Sequence, residues 1–523
     1  MAALAVVAAV TPATISGQVG GSWPLPVGVP TPSFGIGETA PSPPQSWFSP
    51  VPGFYYVSET ASNAVDDGNP FGSPALPRRT IPDRLPAGAV VEVHGTYSFH
   101  HTSPRHIISS GTAERPVFIR GAGAQQRPRM SGCWEVSGSY FVIEYVQFEG
   151  CGGFVFVDPT HHAALRDSDL SGSPGGGGVG LQSWHGGTVS DVVVLRNRIH
   201  DMGDVSSTVD QDSHGIAVGA RVSQAWILEN FLYGNSGDGL QINAGNRMLQ
   251  ATTHHIYVGR NVATRNRQNG LWTKQATDVI FSENRVYDHH PSQFSLGVCM
   301  GGQYAPEHVW FINNLVWNCD YGIQLASDSD QGDGRLQFII GNVIAAIHDS
   351  DGDFNSRSAW QNCGISLPGG TYRFVTQNSM YDVDSGICVP GNAGVALLYD
   401  NLIERVRADG HHIFMDSTLL AQRSVRSSGN FFAPEYRVSI GGRSNVYRNG
   451  GGPNSVVPSV GYVDPNAGDL RLSAGSPAIG AGHMRGLGLW EYFEQRYRAP
   501  LSRDVMGNDR RNASDSGAFA FRP

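Results

Sequence analysis

The stretch Val192-Val-Val-Leu-Arg-Asn197 decides the fold, because versions of it return along most of the chain. Ala225-Trp-Ile-Leu-Glu-Asn230 and Val279-Ile-Phe-Ser-Glu-Asn284 have the same order, a short apolar run that ends in asparagine. The asparagines of this register, 23 to 36 residues apart, are Asn197, Asn230, Asn261, Asn284, Asn314, Asn342, Asn378, Asn401 and Asn430. Short strands at such a period, with no helical pattern between them, predict a solenoid in which neighbouring units bury one another.

A second marker precedes the apolar runs and consists of one residue, then glycine, then an aliphatic residue. It occurs as His214-Gly-Ile, Asp238-Gly-Leu, Asn269-Gly-Leu, Tyr321-Gly-Ile, Cys363-Gly-Ile and Ser385-Gly-Ile. We expect the asparagines at equivalent turns to form hydrogen-bonded ladders along the stack, since buried amides need partners.

The two markers together resemble the right-handed parallel β-helix of the pectate-lyase-like superfamily, over about residues 54–435. The resemblance implies an all-β solenoid of about a dozen turns. Residues 1–53 are expected to hold a signal-peptide remnant and a Pro/Gly-rich lead-in that packs little, and residues 436–523 a closing, capping segment. A β-propeller is the runner-up fold, and the absence of four-stranded blades in the pattern counts against it.

The composition excludes several classes of function. The 523 residues carry a net charge of −9 without basic blocks, which argues against a nucleic-acid-binding protein. No apolar run reaches the roughly 18 residues of a membrane-spanning helix, so no membrane span is predicted. The oligomeric state is left open by the sequence.

The six cysteines form three pairs that are separated by about one repeat: Cys133 and Cys151, Cys299 and Cys319, and Cys363 and Cys388. Residues one repeat apart are neighbours in a solenoid, so each pair is placed to form a disulfide. Free buried cysteines are the alternative interpretation. Disulfides would indicate a secreted, periplasmic or extracellular protein.

Alignment on the glycine marker assigns side chains to faces, because alternate residues of a strand point the same way. Three columns of side chains are expected: His214, Asp238 and Asn269; Gln182, Ala217, Gln241 and Trp272; and Trp184, Gly219, Asn243 and Lys274. One outer face is therefore predicted to carry Trp184, Asp210, Asp212, His214, Asp238, Gln241, Asn243, Trp272 and Lys274. Arg265 and Arg267 lie on the turn that leads to the strand of Lys274.

Lys274 is the single lysine among 36 basic residues, and the other 35 are arginines. Ordinary surface cations are thus supplied by arginine throughout the chain. Arginine hardly gives up its proton, whereas lysine can serve as a general base, which favours a catalytic role for Lys274. The alternative is a codon bias that left one stray lysine.

The segment Asn269-Gly-Leu-Trp-Thr-Lys274 looks like the lysine-bearing strand of polysaccharide lyases of family nine, and the fold is also shared by family six. In those lyases a lysine removes the proton α to a uronate carboxylate, and calcium or arginine neutralises that carboxylate. Ser236-Gly-Asp-Gly-Leu-Gln241 is similar to the calcium-binding strand of family nine, with Gly237 and Gln241 in place of two acidic ligands. The resemblance implies Ca²⁺ at Asp238 and Asp212.

Two other enzyme classes and one non-enzyme remain open. Asp212-Ser-His214 with Asp238 one turn later resembles the motif of mannuronan C5-epimerases, which share the lyases' first step. Asp210, Asp212 and Asp238 are candidate paired carboxylates of a glycoside hydrolase. A carbohydrate-binding or adhesive solenoid would use the same face without needing Lys274. A further acidic loop, Asp349-Ser-Asp351-Gly-Asp353, is interpreted as a solvated turn rather than a calcium loop.

The sequence thus predicts a secreted enzyme that cleaves an acidic, uronate-containing polysaccharide by β-elimination. In this hypothesis Lys274 is the base, Arg267 or a cation stabilises the developing charge, and His214 or water protonates the leaving oxygen. Asp212 and Asp238 orient His214 or hold a cation. The residues expected to contact the substrate are Trp184, Trp272, Gln241, Asn243, Arg265 and Asp210.

Overall fold

A computed structural model describes residues 24–43, 47–98, 105–150, 153–173, 176–326, 335–352, 362–390, 394–415, 425–448, 453–483, 488–510 and 515–522. Cys151 and Asp353 lie outside these residues, so the predicted pairing of Cys133 with Cys151 is not described. Within each unit, strands one turn apart in the chain pair in parallel, with a register shift between Phe156 and Thr160. The fold is therefore the all-β, right-handed parallel β-helix that the sequence predicts.

The chain divides into two compact units, a first unit of residues 32–277 and a second unit of residues 278–523 together with residues 1–31. Within each unit the complete coils contribute strands to three columns. Column one follows the glycine marker, column two ends at the register asparagine, and column three is the short strand after that asparagine.

In the first unit, column one contains Arg84–Pro86, Arg105–Ser110, Val179–Gln182, Ile216–Val218, Leu240–Ile242 and Leu271–Thr273. Column two contains Phe54–Val57, Val90–Val93, Val117–Arg120, Val189–Leu195, Val222–Leu228 and His254–Gly259. Two long strands, Trp134–Glu144 and Phe154–Arg166, run through both columns. Column three contains Thr96–Ser98, Arg129–Ser131, Gln147–Glu149, Asp169–Ser171, Arg198–His200, Phe231–Tyr233 and Val262–Thr264. A short 3₁₀ helix covers Gln250–Thr252.

In the second unit, column one contains Val298–Gly302, Tyr321–Leu325, Cys363–Ser366, Ser385–Val389, Ile413–Met415 and Tyr436–Ile440. Column two contains Thr277–Ser282, whose first residue belongs to the first unit, and Glu307–Ile312, Gln337–Ile340, Tyr372–Thr376, Val395–Tyr399 and Val425–Ser428. Column three contains Arg285–His289, Leu315–Cys319, Val343–Ile347, Ser379–Val383, Leu402–Val406, Phe431–Ala433 and Ser455–Val456. The closing elements are Arg443–Tyr447, Tyr462–Asp464, Pro465–Ala467, Asp469–Leu472 and the helix Leu489–Tyr497.

The register asparagines form the predicted ladders. The amide nitrogen of Asn230 donates to the carbonyl of Val194 at 2.9 Å and to Oδ1 of Asn261 at 3.0 Å, and the same Oδ1 accepts the main-chain N–H of Asn230 at 2.9 Å. The residue before each asparagine has a positive φ, as at Glu229 (54°) and Arg260 (52°). Such a left-handed residue makes the sharp turn between columns two and three, and the asparagine side chain satisfies the main-chain groups that the turn releases.

We expect Asn342→Ala to destabilise the protein by at least about 2 kcal/mol, because several buried partners lose their hydrogen bonds at once. Asn342 donates to the carbonyl of Phe311 and to Oδ1 of Asn378, and its own Oδ1 accepts from the main chain and side chain of Asn314. Urea unfolding measures the change. The exposed Asn445 supplies the matched control, Asn445→Ala, which should stay within about 0.5 kcal/mol of wild type. Equal effects of the two variants would contradict the ladder's structural role.

The N-terminal lead-in packs more closely than the sequence predicts. In the first unit Phe34 is 6% exposed, and the buried guanidinium of Arg166 donates to the carbonyls of Ile36 at 2.9 Å and Glu38 at 2.6 Å. The expectation of a loosely packed lead-in is therefore wrong for residues 32–43. Its prolines and glycines give the main chain an irregular course, and the buried Arg166 supplies hydrogen bonds to carbonyl groups that no strand pairs.

Two of the predicted disulfides are present in the second unit, Cys299–Cys319 and Cys363–Cys388. Each joins cysteines that lie about one coil apart, as the repeat arithmetic indicates. Within the described residues, none of the helices has the length and apolarity needed to cross a bilayer.

The C-terminal helix Leu489–Tyr497 packs on column two of the second unit. The indole N–H of Trp310 donates to the hydroxyl of Tyr497 at 3.0 Å, and that hydroxyl donates to Asp278 at 2.7 Å. Arg496 contacts both carboxylate oxygens of Asp278, at 2.6 and 2.9 Å. Burial, and then the Asp278 carboxylate, raise the pKa of Tyr497. The described part of the predicted closing segment is thus anchored by an ion pair between the partly exposed Arg496 and the buried Asp278.

Candidate active site

The candidate site lies on column one of the first unit, where the register confirms most of the alignment made on the glycine marker. Gln241 pairs with Ala217 on one side and with Trp272 on the other. The main-chain N–H of Lys274 donates to the carbonyl of Ile242 at 2.7 Å, which sets Lys274 directly beside Asn243 in the next coil. Three consecutive coils therefore present equivalent side chains at this edge.

One coil of that alignment is wrong by two residues. Val179 pairs with Ile216 and Gly180 with Ala217, so the marker glycine of this coil is Gly178. The run Gly175-Gly-Gly-Gly178 before Val179 offers several glycines, and the sequence does not distinguish among them. In consequence Gln182, not Trp184, lies beside Gly219: a Cβ added at Gly219 would stand 2.3 Å from the Gln182 amide oxygen.

The first predicted column, His214, Asp238 and Asn269, is joined by hydrogen bonds. Asp238 is 1% exposed, and its Oδ1 accepts the main-chain N–H of Asn269 at 2.9 Å and the side-chain amide of Asn269 at 2.8 Å. The other oxygen, Oδ2, accepts the amide of Gln241 at 2.8 Å. A buried carboxylate that accepts three N–H donors is held in a fixed orientation.

His214 is fixed by the main chain of the next coil. The N–H of Asp238 donates to Nδ1 of His214 at 2.9 Å, so in the neutral ring the hydrogen is on Nε2. Gly237 makes this approach feasible, because a Cβ at that position would stand 2.5 Å from Nδ1. The glycine that departs from the family-nine calcium strand is thus the residue that lets His214 contact Asp238.

The amide chain continues from Asp238 toward Lys274. The amide nitrogen of Asn243 donates to Oε1 of Gln241 at 3.2 Å, and Gln241 in turn donates to Asp238. Lys274, which follows the strand Leu271–Thr273, is half-buried and stands beside Asn243. Hydrogen bonds therefore connect four of the predicted site residues, His214, Asp238, Gln241 and Asn243, and the strand register sets Lys274 beside Asn243.

Arg267 has a different role from the one that the sequence predicts. Its side chain is 6% exposed, and its guanidinium donates to the carbonyls of Ser236 at 2.9 Å and Ser207 at 2.8 Å. Longer contacts reach the carbonyl of Val209 at 3.4 Å and Oδ1 of Asp210 at 3.5 Å. Because most of these N–H groups are directed at residues 207–210, Arg267 holds the loop that leads to Asp212.

The neighbouring residue, Gln268, fixes the two acidic side chains of the same loop. Its amide nitrogen donates to Oδ1 of Asp210 at 2.8 Å and to Oδ1 of Asp212 at 3.0 Å. Both carboxylates are exposed. The two oxygens are therefore less than about 6 Å apart, closer than the carboxyl pairs of inverting glycosidases.

The two predicted stacking residues differ sharply in exposure. Trp184 is 53% exposed, and its loop is held by Asp158, which accepts the N–H groups of His185 and Gly187. Burial alone would raise the pKa of Asp158, but these main-chain hydrogen bonds outweigh it and lower the pKa. Trp272 is 4% exposed, so the expectation that it offers a ring to a sugar is wrong in this structure. Trp272 lies directly beside Gln241 of the preceding coil, because the two residues are paired in neighbouring strands of column one.

Arg265 lies where the sequence predicts it, on the turn directly after Val262–Thr264, and its side chain is exposed. Gln268 and Asn269 contact the acidic side chains of the site, although neither was singled out as functional. Their position is the signal that the sequence offers, since they are the two residues before Gly270, the marker glycine of the coil that carries Lys274.

The residues around Asp238 do not fit the Ca²⁺ that the family resemblance implies. Calcium takes six to eight oxygen ligands. Among the described neighbours of Asp238, the polar groups aimed at its carboxylate are N–H donors of Asn269 and Gln241 rather than further oxygens. Asp212 is instead tied to Asp210 through Gln268. No step of a mechanism is therefore assigned to a metal here.

No protein-family model matches the chain, and no curated protein does. Among solved structures, the PL6 family alginate lyase AlyGC is similar with a TM-score of 0.52 and 11% identity, over 84% of this chain and 57% of that chain. Pectate lyase Pel9A gives 0.41 and 13%, over 90% and 96%. The mannuronan C-5 epimerase AlgE4 A-module from Azotobacter vinelandii gives 0.43 and 15%, over 59% and 91%. This chain spans little more than half of AlyGC, and the likeness establishes the fold.

Proposed function

We propose that the protein cleaves an acidic, uronate-containing polysaccharide by β-elimination, with Lys274 as the general base. The observation that carries this proposal is the position of the chain's single lysine. Lys274 stands beside Asn243, at the end of an amide chain through Gln241 to the buried pair of Asp238 and His214. Similar solved structures include lyases that bear the fold, and this agrees with the proposal without establishing the reaction.

The proposed reaction begins when the unprotonated amine of Lys274 takes the proton on the carbon α to the uronate carboxylate. The electron pair of that bond forms the C4–C5 double bond, and the bond from C4 to the glycosidic oxygen breaks. The proton therefore ends on Lys274, and the departing oxygen needs another. Such a base typically accounts for about 10²- to 10⁴-fold in rate.

His214 serves the departing oxygen in this proposal. Because Nδ1 accepts the Asp238 N–H, the group that His214 can offer is the Nε2–H. It donates a hydrogen bond to the glycosidic oxygen, and a water molecule delivers the proton. Asp238 is a positioning residue, since its main chain sets the ring of His214 and its carboxylate orients Gln241.

The negative charge that develops on the substrate is stabilised by groups other than Arg267, because the guanidinium of Arg267 is bonded to the loop that leads to Asp212. Arg265 is the exposed cation that we assign to the uronate carboxylates, with the protonated Lys274 and the Nε2–H of His214 as further electrostatic partners. Trp184 is assigned to sugar stacking because its ring is exposed. Asp210 and Asp212, on the loop that Arg267 holds, are assigned as acceptors of hydrogen bonds from sugar hydroxyls.

The two disulfides of the second unit support a protein that works outside the reducing cytoplasm. We therefore place it in the periplasm or outside the cell, where acidic polysaccharides occur. A substrate of this class also fits the candidate site, which carries side-chain amides and carboxylates that can accept hydrogen bonds from sugar hydroxyls.

The test is product analysis on a panel of polyuronates. β-Elimination is expected to give chain cleavage together with the ultraviolet absorbance of an unsaturated uronate. New reducing ends without that absorbance would assign a hydrolase, in which Asp210 and Asp212 take the chemistry. A changed epimer ratio without cleavage would assign an epimerase, and binding with none of these changes would assign an adhesive solenoid. Each of these three results overturns the proposal.

A further inference from the structure

We propose that the second unit holds a divalent cation, best matched by Ca²⁺, between the side chains of Asp320, Asp349, Asp351 and Asn362. One carboxylate oxygen from each aspartate lies within 4.8 Å of the other two. Carboxylates that converge so closely repel one another unless a positive charge stands between them. The site is independent of the proposed lyase activity, which belongs to the first unit.

Asp320 is the buried member of the group. It follows the strand Leu315–Cys319 and is 0% exposed. Its Oδ1 accepts the hydroxyl of Ser350 at 2.7 Å and contacts Nδ1 of His290 at 3.1 Å. Its Oδ2 accepts the main-chain N–H of Ser350 at 2.8 Å, while the Asn362 amide stands 3.5 Å away, beyond a good hydrogen bond. Oδ2 therefore keeps a lone pair for a ligand.

Asn362 supplies the observation that points to a cation rather than to a merely acidic turn. It is 1% exposed and sits directly before the strand Cys363–Ser366, one coil beyond Asp320. Its Oδ1 is buried and has no hydrogen-bond partner among the residues that the structure describes. An unsatisfied buried carbonyl oxygen is destabilising, and a hard cation is a partner that would satisfy it.

The group opens on a cavity of about 300 Å³. Asp320, Asp351 and Asn362 line it from the coils, and residues 291–296 line it from the loop before Val298–Gly302. The cavity has room for several water molecules. Four protein oxygens plus waters reach the six to eight ligands that Ca²⁺ takes, whereas Mg²⁺ requires a tighter octahedron.

The charges around the site leave an excess of negative charge. His290, when protonated, offsets one of the three carboxylates through Asp320. The nearby cations His348 and Arg407 are engaged by another carboxylate, Asp384. The N–H of Asp349 also donates to Asp384, so the acidic loop is fixed while its carboxylates converge. Asp320, like Asp238 in the first unit, accepts N–H and O–H donors, but only in the second unit do two further carboxylates converge on the same point.

Calorimetric titration of the metal-free protein with CaCl₂ tests the proposal. We expect one Ca²⁺ per chain with a dissociation constant of about 10⁻⁴ to 10⁻³ M, the range of extracellular calcium modules. Asp351→Asn, an exposed position that should not disturb folding, is expected to weaken binding at least about tenfold by removing one charged ligand. Calcium should also raise the midpoint of thermal unfolding of wild type more than that of Asp351→Asn.

The matched control is Asp212→Asn, which changes the other predicted calcium ligand and lies in the first unit. The proposal expects Asp212→Asn to bind Ca²⁺ as wild type does. It is overturned by the absence of binding up to about 10 mM, well above the affinities of known calcium modules. It is equally overturned if Asp351→Asn binds like wild type, or if Asp212→Asn abolishes binding. Unfolding in the absence of calcium verifies that both variants are folded.

Discussion

Lys274→Arg is expected to lower kcat on the cleaved polyuronate by about 10²- to 10⁴-fold, the usual contribution of a general base. The substitution keeps a long basic side chain at the end of Leu271–Thr273 but removes a base, since arginine stays protonated. KM should change much less, because the residues assigned to substrate contact, Arg265 and Trp184, are unchanged. Initial rates of unsaturated product over a range of substrate concentrations separate the two parameters.

The control for this prediction is Arg443→Lys, an exchange in the opposite direction at an exposed strand of the second unit. It should leave both kinetic parameters within twofold of wild type, as roughly expected for a surface substitution. Full activity of Lys274→Arg would remove lysine from the mechanism. The chemistry would then have to be assigned to His214 and to the loop that carries Asp210 and Asp212.

Asp238→Asn is expected to be the second most damaging change, with kcat lowered about 10²-fold, the scale on which misplaced catalytic groups lose rate. Asp238 accepts N–H groups from both Asn269 and Gln241, and an amide in its place turns one of these contacts into two donors that face each other. Gln241 is then displaced, and the ring of His214 loses the carboxylate charge that stands 3.6 Å from its Nδ1. We expect a fall in kcat larger than the rise in KM, because the leaving oxygen loses its donor in the transition state.

A structural role alone would show itself differently. Asp204→Asn, at an exposed carboxylate that bonds Ser206, is the matched control in the first unit. If Asp238→Asn lowered the unfolding midpoint but left kcat and the pH profile of the remaining activity unchanged, the role assigned to Asp238 would be wrong. A changed pH profile in a folded variant is the signature of an altered His214.

The solenoid could be predicted from the sequence because its rules are local and periodic. The turn before each register asparagine needs one left-handed residue, and the asparagine satisfies the released main-chain groups, so the pattern returns at Asn230, Asn261 and Asn342. The same periodicity placed His214, Asp238 and Lys274 on one edge. It also predicted the disulfides of the second unit.

What the sequence did not predict depends on segments that leave the repeat. The loop before Asp212 reaches the coil of Arg267 and Gln268, two coils later, and these two side chains hold it. The repeat spacing does not indicate this contact, because the loop lies outside the repeat. Trp272 was assigned to an outer face by strand parity, but it is buried beside Gln241. Parity gives the direction of a side chain, and coverage by neighbouring groups decides its exposure.

The candidate cation site was hidden for a related reason. Asp349 and Asp351 lie on one short loop that resembles a solvated turn, whereas Asp320 and Asn362 come from neighbouring coils. The ligands meet only when the coils stack, and a search along the chain for a calcium loop does not find them.

The most direct test of the central claim is the ultraviolet absorbance of unsaturated uronate formed by wild type and by Lys274→Arg from the same polyuronate. The account predicts that absorbance rises together with chain cleavage in wild type, and that Lys274→Arg binds the polymer but forms this product at least about 10²-fold more slowly. Cleavage by wild type without unsaturated product, or equal rates of its formation by the two proteins, would contradict a lysine-dependent β-elimination.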